Sequence, residues 1–347
     1  MKKILLYIFL FLYSISLYSS EKINLFPEKK VINYDTTKIT DLTHKLNIYT
    51  GFIGKIHTIE LNNSDINQKL HLEPNGKTSI GLGFNYKWLG LGFGFSPGFM
   101  NTDNDIYGNT NRFDTQLNIY TQSFGVDAYF QYYNGFYLKN PDDFLEWEQE
   151  SFPLRSDMQS YSFGLSTYFF TNKKHFSYKA AYKRNQIQKR SAGSFIYGAY
   201  FNANIAKTPD GFIPAVLPDS LSNYYSLDAF YTNSFGGSVG YTYTLVFLKR
   251  LYFNASVVPA VGYRNSEFRY GDQISKEDLE LTFALTTRFA LGYEGKHIYA
   301  GLTLFSMIDS YKYESISISS STGNVRFVIG KRFNTGKRSK KKDKYSI

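Results

Sequence analysis

Few residues in this sequence have the types and spacing that catalysis requires. Its five histidines are His44, His57, His71, His175 and His297, and no two stand at the i, i+4 spacing of a catalytic metal site. The chain has no cysteine, which excludes disulfides and thiolate metal ligands. We therefore predict no catalytic residue, no metal site and no cofactor. His57 beside a serine of a neighbouring strand would still fit a lipid hydrolase, so an enzyme remains the less favoured alternative.

Carboxylates cluster in the segment from Asp142 to Glu150, which carries five of them. Carboxylate oxygens bind hard cations such as calcium. The segment lacks the Asp-x-Asp-x-Asp-Gly series of the calcium-binding loop of about twelve residues. We therefore expect a solvated acidic loop.

Charged residues at alternate positions of predicted strands are more informative, because alternate residues share one face. In a closed barrel that face lines the lumen, whereas an Arg or Lys facing lipid near the midplane costs roughly 2–4 kcal/mol. The polar lumen would be either plugged by salt bridges, which we favour, or open as a channel. The candidate lumen-facing residues are Arg112, Asp114, Asp127, Lys179, Lys183, Glu280, Arg288 and Arg326.

The segment from Thr78 to Phe95, TSIGLGFNYKWLGLGFGF, shows the element that would position such residues. It reads as two strands joined by a tight turn, with large apolar residues at every second position and mostly small or polar residues between them. The hairpin therefore has one apolar face and one small or polar face. The sequence repeats this design to its end and has too few other segments to cover the apolar faces, which predicts a barrel in lipid.

The alternating runs predict an all-β fold, an antiparallel transmembrane β-barrel of 12–14 strands with short periplasmic turns and long extracellular loops. Aromatic residues make up 18% of the 347 residues, which favours strands. Strand parity favours 14, because the strand at 194–205 runs towards the periplasm and needs an upward strand after it, for which Tyr224 to Tyr231 is the candidate. If 187–235 is one external loop, the number is 12. The other predicted strands and hairpins are 46–61, 78–95, 112–136, 161–184, 238–261, 280–307 and 324–333.

The segments outside the barrel, 45–333, differ from it in composition. Residues 1–20 have a basic start, an apolar run and small residues, as a cleaved signal peptide does. Residues 21–44 are mixed and polar, and we predict a periplasmic lead-in. Of the net charge of +10, the last fourteen residues carry +5, so 334–347 is predicted to be a basic disordered tail that could contact a periplasmic partner. No basic face interleaved with aromatic residues is present, so we expect no nucleic-acid partner.

Three segments resemble a known family: YKWLGLGFGF at 86–95, FGVDAYFQYYNGFYL at 124–138 and KRSAGSF at 189–195. Over about residues 40–333 the chain resembles an uncharacterised Bacteroidetes outer-membrane β-barrel family that carries a domain-of-unknown-function label. The resemblance implies a barrel in the outer membrane of a Gram-negative bacterium and no catalytic residues. Phe333 stands where such barrels carry the aromatic residue that the barrel-insertion machinery recognises, although fourteen residues follow it.

These observations favour a non-enzymatic, porin-like channel or ligand-binding barrel in the cell outer membrane, in contact with outer-membrane lipid. The loops 98–110, 137–159 and 264–279 would contact extracellular ligands. Two alternatives stay open: an outer-membrane lipid-modifying hydrolase, and a structural or secretion-accessory barrel that binds a periplasmic partner through its tail.

Overall fold

The computed structural model describes residues 34–335, except 77, 87–88, 101–102, 219, 222–223, 226 and 314. The predicted signal peptide, most of the lead-in and residues 336–347 of the basic tail lie outside the described residues. Within the described part, no helix is long and apolar enough to cross a membrane.

The described residues form fifteen strands and two short α-helices. The strands are β1 (Ile39–Asp41), β2 (Lys45–Asn63), β3 (Gln68–Glu73), β4 (Ser79–Tyr86), β5 (Leu89–Phe95), β6 (Asn111–Tyr120), β7 (Phe124–Leu138), β8 (Leu154–Phe170), β9 (Gln186–Gln188), β10 (Ala192–Lys207), β11 (Ala229–Phe247), β12 (Leu251–Tyr270), β13 (Gln273–Glu294), β14 (Ile298–Tyr313) and β15 (Ile316–Asn334). The helices are α1 (Asn104–Tyr107) and α2 (Tyr178–Tyr182), and Gly98–Met100 and Pro141–Asp143 form 3-10 turns.

Ten strands form a closed antiparallel barrel in the order β2, β3, β7, β8, β10, β11, β12, β13, β14 and β15, and β15 pairs back to β2. The β15–β2 pairing runs from Asn334 opposite Lys45 to Ile316 opposite Asn63. We call the end at Lys45 the terminal end, because the barrel begins and finishes there, and the opposite end the far end. The ring closes between β3 and β7 through only two residue pairs, Leu72 with Leu138 and Glu73 with Tyr137.

Three additional strands form the wall at the terminal end, beside the ring. β4 pairs with the first part of β2, from Asn47 to Ile53, and β5 pairs with β4. β6 pairs with β7 over residues 111–120. β3 and β4 thus run in the same direction along β2, separated by a break that contains Pro74.

The predicted number of 12–14 strands, with 14 favoured, is therefore wrong, because the structure has ten ring strands and three extra ones. The segment 176–184, predicted as a hairpin arm, contains α2. Ser177 caps this helix, since its hydroxyl accepts a hydrogen bond from the backbone N–H of Ala180 at 3.2 Å. Lys179 and Lys183 consequently do not lie on a strand. Of the candidate strand 224–231, only the last three residues pair, as the start of β11.

The connection at 264–279 is also not the loop that we predicted. β12 and β13 continue through it as a paired hairpin, with Gly271 in the turn. Gly271 has φ of +52°, a left-handed conformation that glycine adopts without strain. The hairpin therefore extends the barrel wall at the far end.

Apolar side chains form a band around the outside of the barrel. One row of directly paired residues crosses six strands, and each of its side chains is at least 40% exposed: Phe52, Phe327, Leu302, Leu291, Phe253 and Leu245. Exposed apolar residues continue on β2 from Ile48 to Ile56 and on β12 from Phe253 to Tyr263. These lengths fit the roughly 9–11 residues with which a tilted strand crosses a bilayer. The strands extend beyond this apolar band at the far end.

The far end of the lumen is filled by a hydrophobic cluster. The loop 208–228 folds inward and contributes Phe212, Leu217, Tyr225 and Leu227, all buried. These side chains pack with buried residues from strands all around the barrel, including Ile59, Leu70, Met158, Phe230, Phe268, Tyr311 and Ile318. The loop is also hydrogen-bonded to the wall, because Arg155 donates to the carbonyl oxygen of Ile213 at 3.0 Å.

The terminal end is filled by residues 171–191, which we call the plug. The sequence predicted a short turn and the second arm of the 161–184 hairpin over most of this segment. Phe176 and Tyr178 of the plug belong to a buried cluster with residues of β6, β8, β10 and β12. Arg332 of β15 donates to the carbonyl oxygen of Arg184 at 2.7 Å and pairs with Glu294. β1 in the lead-in pairs with β9 of the plug, which adds a second layer at this end.

Candidate functional site

A chamber of about 520 Å³ lies inside the barrel between the plug and the far-end cluster. β2, β4, β5 and β6 form one side of it, and β13, β14, β15 and the plug form the other. The inner positions of β4 and β5 are small, as in Gly81, Gly92 and Gly94, and this leaves space that large side chains would fill. The alternation of glycine with large apolar residues therefore creates the chamber as well as the outer face.

Arg288 and Asp127 form a buried ion pair at the chamber wall. Nη2 of Arg288 lies 2.5 Å from Oδ2 of Asp127, and both residues are 5% exposed. The other carboxylate oxygen of Asp127 accepts hydrogen bonds from Tyr120 and Asn118, each at 2.5 Å. The guanidinium of Arg288 also lies 4.3 Å from the ring centre of Phe305. Asp127 is thus fully partnered, as a buried charge must be.

Asp114 on β6 is the centre of a second polar cluster. It pairs with Lys55 of β2 and accepts hydrogen bonds from Gln131 at 2.7 Å and Tyr133 at 3.0 Å. Gln131 in turn accepts from the hydroxyl of Thr322 at 2.5 Å. This cluster connects strands on both sides of the chamber.

The chamber has more positive than negative charge. Among the described residues, Arg326 and Lys183 have no carboxylate within 4.0 Å. Arg326 donates to the side-chain oxygen of Gln116, and its Nε atom has no hydrogen-bond partner. One carboxylate, that of Asp114, lines the chamber together with six cationic side chains: Lys55, Arg112, Lys183, Arg184, Arg288 and Arg326. The arrangement is suited to an anionic group.

The structure places five of the eight predicted lumen-facing residues around the chamber. Asp127 does not line the chamber itself but pairs with Arg288, which does. Lys179, on α2, does not line the chamber, and Glu280 lies at the far end, where its 41% exposed side chain pairs with Arg264. The five residues that line the chamber are Arg112, Asp114, Lys183, Arg288 and Arg326.

Sequence reasoning missed Lys55 and Arg184 as chamber residues. Lys55 lies on the face of β2 opposite to Ile48, Phe52 and Ile56, so the same two-residue period could have found it. Arg184 belongs to the plug, and no period in the sequence marks a segment that folds into a lumen.

His57 and Ser160 form a serine–histidine contact that resembles hydrolase chemistry. Nε2 of His57 lies 2.8 Å from the hydroxyl of Ser160, and both residues are buried. His57 stacks on Tyr133 with ring centres 4.7 Å apart. Its Nδ1 atom has no hydrogen-bond partner, so no carboxylate orients the ring as in a catalytic triad. His57 lines a second cavity of about 560 Å³, whereas Ser160 lines neither cavity.

Ser96 and Ser238 each stand in a Gly-x-Ser-x-Gly sequence, the spacing of a nucleophile elbow. Ser238 lies within β11, and Ser96 follows β5 and contacts the hydroxyl of Ser79 at 2.9 Å. A nucleophile elbow requires a turn from a strand into a helix, and neither serine lies on one. Neither serine therefore has the local structure of a catalytic nucleophile.

Glu73 is the centre of a polar network beside the second cavity, beyond the apolar band. It accepts hydrogen bonds from His71 at 2.9 Å, Lys139 at 2.7 Å and Tyr137 at 3.0 Å. Burial alone would raise the pKa of Glu73, but these three hydrogen bonds and the Lys139 charge outweigh it and lower the pKa to about 2. No group of three His, Cys, Asp or Glu side chains that could hold a metal occurs in the described part of the chain, the acidic loop included.

The fold and the chamber define a closed antiparallel β-barrel with an apolar outer band and a charged interior. The chain belongs to the family described as Domain of unknown function (DUF4421), whose model matches residues 33–333. No curated protein matches the chain.

Solved outer-membrane barrels resemble the chain only distantly. The outer membrane protease OmpT from Escherichia coli has 9% identity over 86% of this chain and 100% of that chain, with a TM-score of 0.37. The P. putida toluene transporter TodX has 10% identity over 84% of this chain and 91% of that chain, with a TM-score of 0.26. OprG from Pseudomonas aeruginosa has 9% identity over 88% of this chain and 100% of that chain, with a TM-score of 0.24. These values are too low to transfer any activity.

Proposed function

We propose that the protein is an outer-membrane barrel that binds a ligand in its chamber, and that it is not an open diffusion channel. The observation that supports this is the filling of the lumen at both ends, by the plug and by the loop 208–228. A chamber of about 520 Å³ lies within the range of about 300–1,000 Å³ of small-molecule sites. The ion pairs around it fix its walls in advance of binding.

The membrane location is part of the same proposal and rests on the apolar band. Exposed side chains such as Phe283, at 62%, and Val239, at 65%, would meet water in a soluble protein. In the hydrocarbon core of a bilayer, backbone N–H and C=O groups must be hydrogen-bonded within the protein. The strand pairing of the barrel meets this requirement around most of its circumference. A transmembrane barrel of this kind supports an outer-membrane location. The Gram-negative, Bacteroidetes source is part of the proposal only through the sequence resemblance.

Conductance in planar bilayers tests the proposal. The wild-type protein should insert without giving steady conductance, and liposomes that contain it should not take up small sugars. A variant in which 173–189 and 209–226 are each replaced by a short Gly-Ser linker keeps all ring strands and should conduct, which shows that insertion is detectable. Steady conductance by the wild-type protein would contradict a closed lumen.

The contact between His57 and Ser160 favours lipid hydrolysis as a second candidate function. Purified protein would then release fatty acid from phospholipid or lipid A, and Ser160→Ala would abolish the release. The matched control is Ser162→Ala, which changes a buried serine two residues further along the same strand. Equal activity of both variants, or none in the wild-type protein, would end this alternative.

Two partners complete the proposal. Phe333 is the residue through which the barrel-insertion machinery would recognise the last strand, and the basic tail would bind a periplasmic partner. Removal of residues 336–347 should leave insertion intact and abolish co-purification of such a partner. A variant that loses membrane insertion with the tail would contradict the role given to Phe333.

A further inference from the structure

β5 and β6 are neighbouring strands of the wall that do not pair with each other. β5 pairs with β4, β6 pairs with β7, and no backbone pairing joins β5 to β6 in the described residues. The side chain of Arg112, at the start of β6, reaches across to Ser96, just after β5, and donates to its hydroxyl at 2.7 Å. We call the space between these two edges the lateral opening.

The chamber extends through the lateral opening to the outside of the barrel. Its lining includes inward-facing residues such as Gln116 and Arg326. It also includes outward-facing apolar residues of β4, β5 and β6, which are 50–68% exposed: Leu82, Phe93, Phe113 and Leu117. A cavity lined by residues from both faces of a wall passes through that wall. β5 is exposed on both faces from residue 92 to residue 95, which agrees with this.

The lateral opening lies at the height of the apolar band. Phe95 of β5 is opposite Ile80 of β4, and Ile80 is opposite Phe52, a member of the row that crosses six strands. The opening therefore faces hydrocarbon. Free strand edges are tolerated at this depth only where they are buried in protein or line a water-filled cavity, and the chamber provides such a cavity. A polar site and the membrane interior thus meet at one gap.

We propose that the lateral opening admits an anionic amphiphile from the membrane into the chamber. The carboxylate or phosphate head would bind at Arg326 and Lys183, neither of which has a carboxylate among the described residues within 4.0 Å. The acyl chain would lie in the opening against Phe93, Phe113 and Leu117. The closed ends leave this route as the entrance, so the inference rests on the proposed binding role of the chamber and names its ligand class.

Retention of defined amphiphiles by the intact protein tests this inference. Labelled palmitate and lysophosphatidic acid should stay with the protein through gel filtration, whereas hexadecanol and hexadecyltrimethylammonium should not. Preference between the first two probes identifies the head as a carboxylate or a phosphate. Equal retention of the neutral, cationic and anionic probes would overturn the proposal. Steady wild-type conductance would instead contradict the proposed function, so the two failures are distinguishable.

Two pairs of variants locate the site. Arg326→Gln should weaken palmitate binding at least about tenfold, while Arg269→Gln, an exposed far-end arginine, should not change it. Gly94→Trp should block entry, because a Cβ at residue 94 would lie 3.7 Å from the Ser79 side chain and a larger group would fill the opening. Gly237→Trp, on the outer face of β11, is the control. Unchanged binding in Arg326→Gln would overturn the assignment of the head-group site.

A measurement on the wild-type protein avoids any effect of substitution on folding. Palmitate with a photoactivatable diazirine near the end of its chain should label β5 or β6, at or beside Phe93, Phe113 or Leu117. The neutral hexadecanol analogue should not label them. Labelling by palmitate confined to the outer faces of β11 to β13 would show simple lipid contact and would overturn the lateral route.

Discussion

Replacing Arg288 alone should destabilise the barrel more than replacing Arg288 and Asp127 together. The two side chains are each 5% exposed and meet at 2.5 Å. Loss of one partner leaves a buried charge uncompensated, which costs about 3–5 kcal/mol, whereas replacing both partners is often close to neutral. Tyr120 and Asn118 still donate to Asp127 in the single variant. We therefore expect Arg288→Met to lower the free energy of unfolding by about 3 kcal/mol, and the double variant Asp127→Asn/Arg288→Met to lower it by about 1 kcal/mol.

The assay is urea unfolding of the protein folded into lipid bilayers, followed by far-ultraviolet circular dichroism. The control is Lys276→Met, because Lys276 pairs with Glu267 at 3.6 Å and its side chain is 66% exposed. An exposed pair contributes up to about 1 kcal/mol, so the control should change little. Two results would show that the buried pair does not stabilise the chamber wall. One is a loss of unfolding free energy for Arg288→Met no larger than that of the control. The other is a loss for the double variant equal to the sum of the losses for Arg288→Met and Asp127→Asn.

Three further predictions concern the outer network, the strand spacing and the membrane face. Because the pKa of Glu73 is lowered to about 2, the ionised side chain stabilises the fold fully above pH 4.5, and this effect is lost as the pH falls towards 2. In urea unfolding at pH 7, Glu73→Gln should therefore lower the free energy of unfolding by about 1–2 kcal/mol, a value already reduced for the partial exposure of the side chain. At pH 2 the same substitution should change it little. Gly198→Ala should cost about 1–3 kcal/mol in thermal unfolding, because its Cβ would lie 1.8 Å from a carbonyl oxygen of β8, whereas Gly237→Ala, with 3.9 Å, should be neutral. Phe283→Arg should cost about 2–4 kcal/mol in bilayers, and an unchanged stability would contradict the lipid-facing position of this 62% exposed side chain.

The two faces of the wall could be predicted from the sequence, because a two-residue period is a local property of a strand. The alternation predicts Phe130 and Phe283 on the outer face, and they are 38% and 62% exposed. The side chain of Leu91, expected on the same face, lies outside the described residues. On β13, Arg288 alternates with apolar neighbours and points into the lumen. For wall residues of this kind, the two-residue spacing alone predicts whether the side chain points into the lumen or out of the barrel.

The plug could not be predicted in this way, because its apolar residues fit two periods. Phe176, Tyr178, Ala180 and Tyr182 alternate as in a strand. The spacing of Tyr178 and Tyr182 is also the i, i+4 spacing of a helix, and in the structure their ring centres lie 4.6 Å apart. The N-cap hydrogen bond of Ser177 and the packing of this segment inside the barrel stabilise the helix over the strand. Lys183 therefore reaches the chamber from the plug and not from the wall.

The lateral opening depends on contacts that no period reveals, because the wall divides at Asn75, in the break between β3 and β4. The backbone N–H of this buried residue donates to the hydroxyl of Thr110 at 2.8 Å, and its side chain donates to the carbonyl oxygen of Gly108 at 3.0 Å. Thr110 donates in turn to the carbonyl oxygen of Gly135 on β7 at 2.8 Å, and a Cβ at Gly135 would lie 2.3 Å from the carbonyl oxygen of Asn109. On the far side of this cluster β3 pairs with β7 and closes the ring, and on the terminal side β5 and β6 separate. The pairing that closes the ring and the separation of β5 from β6 therefore meet at this one buried polar cluster.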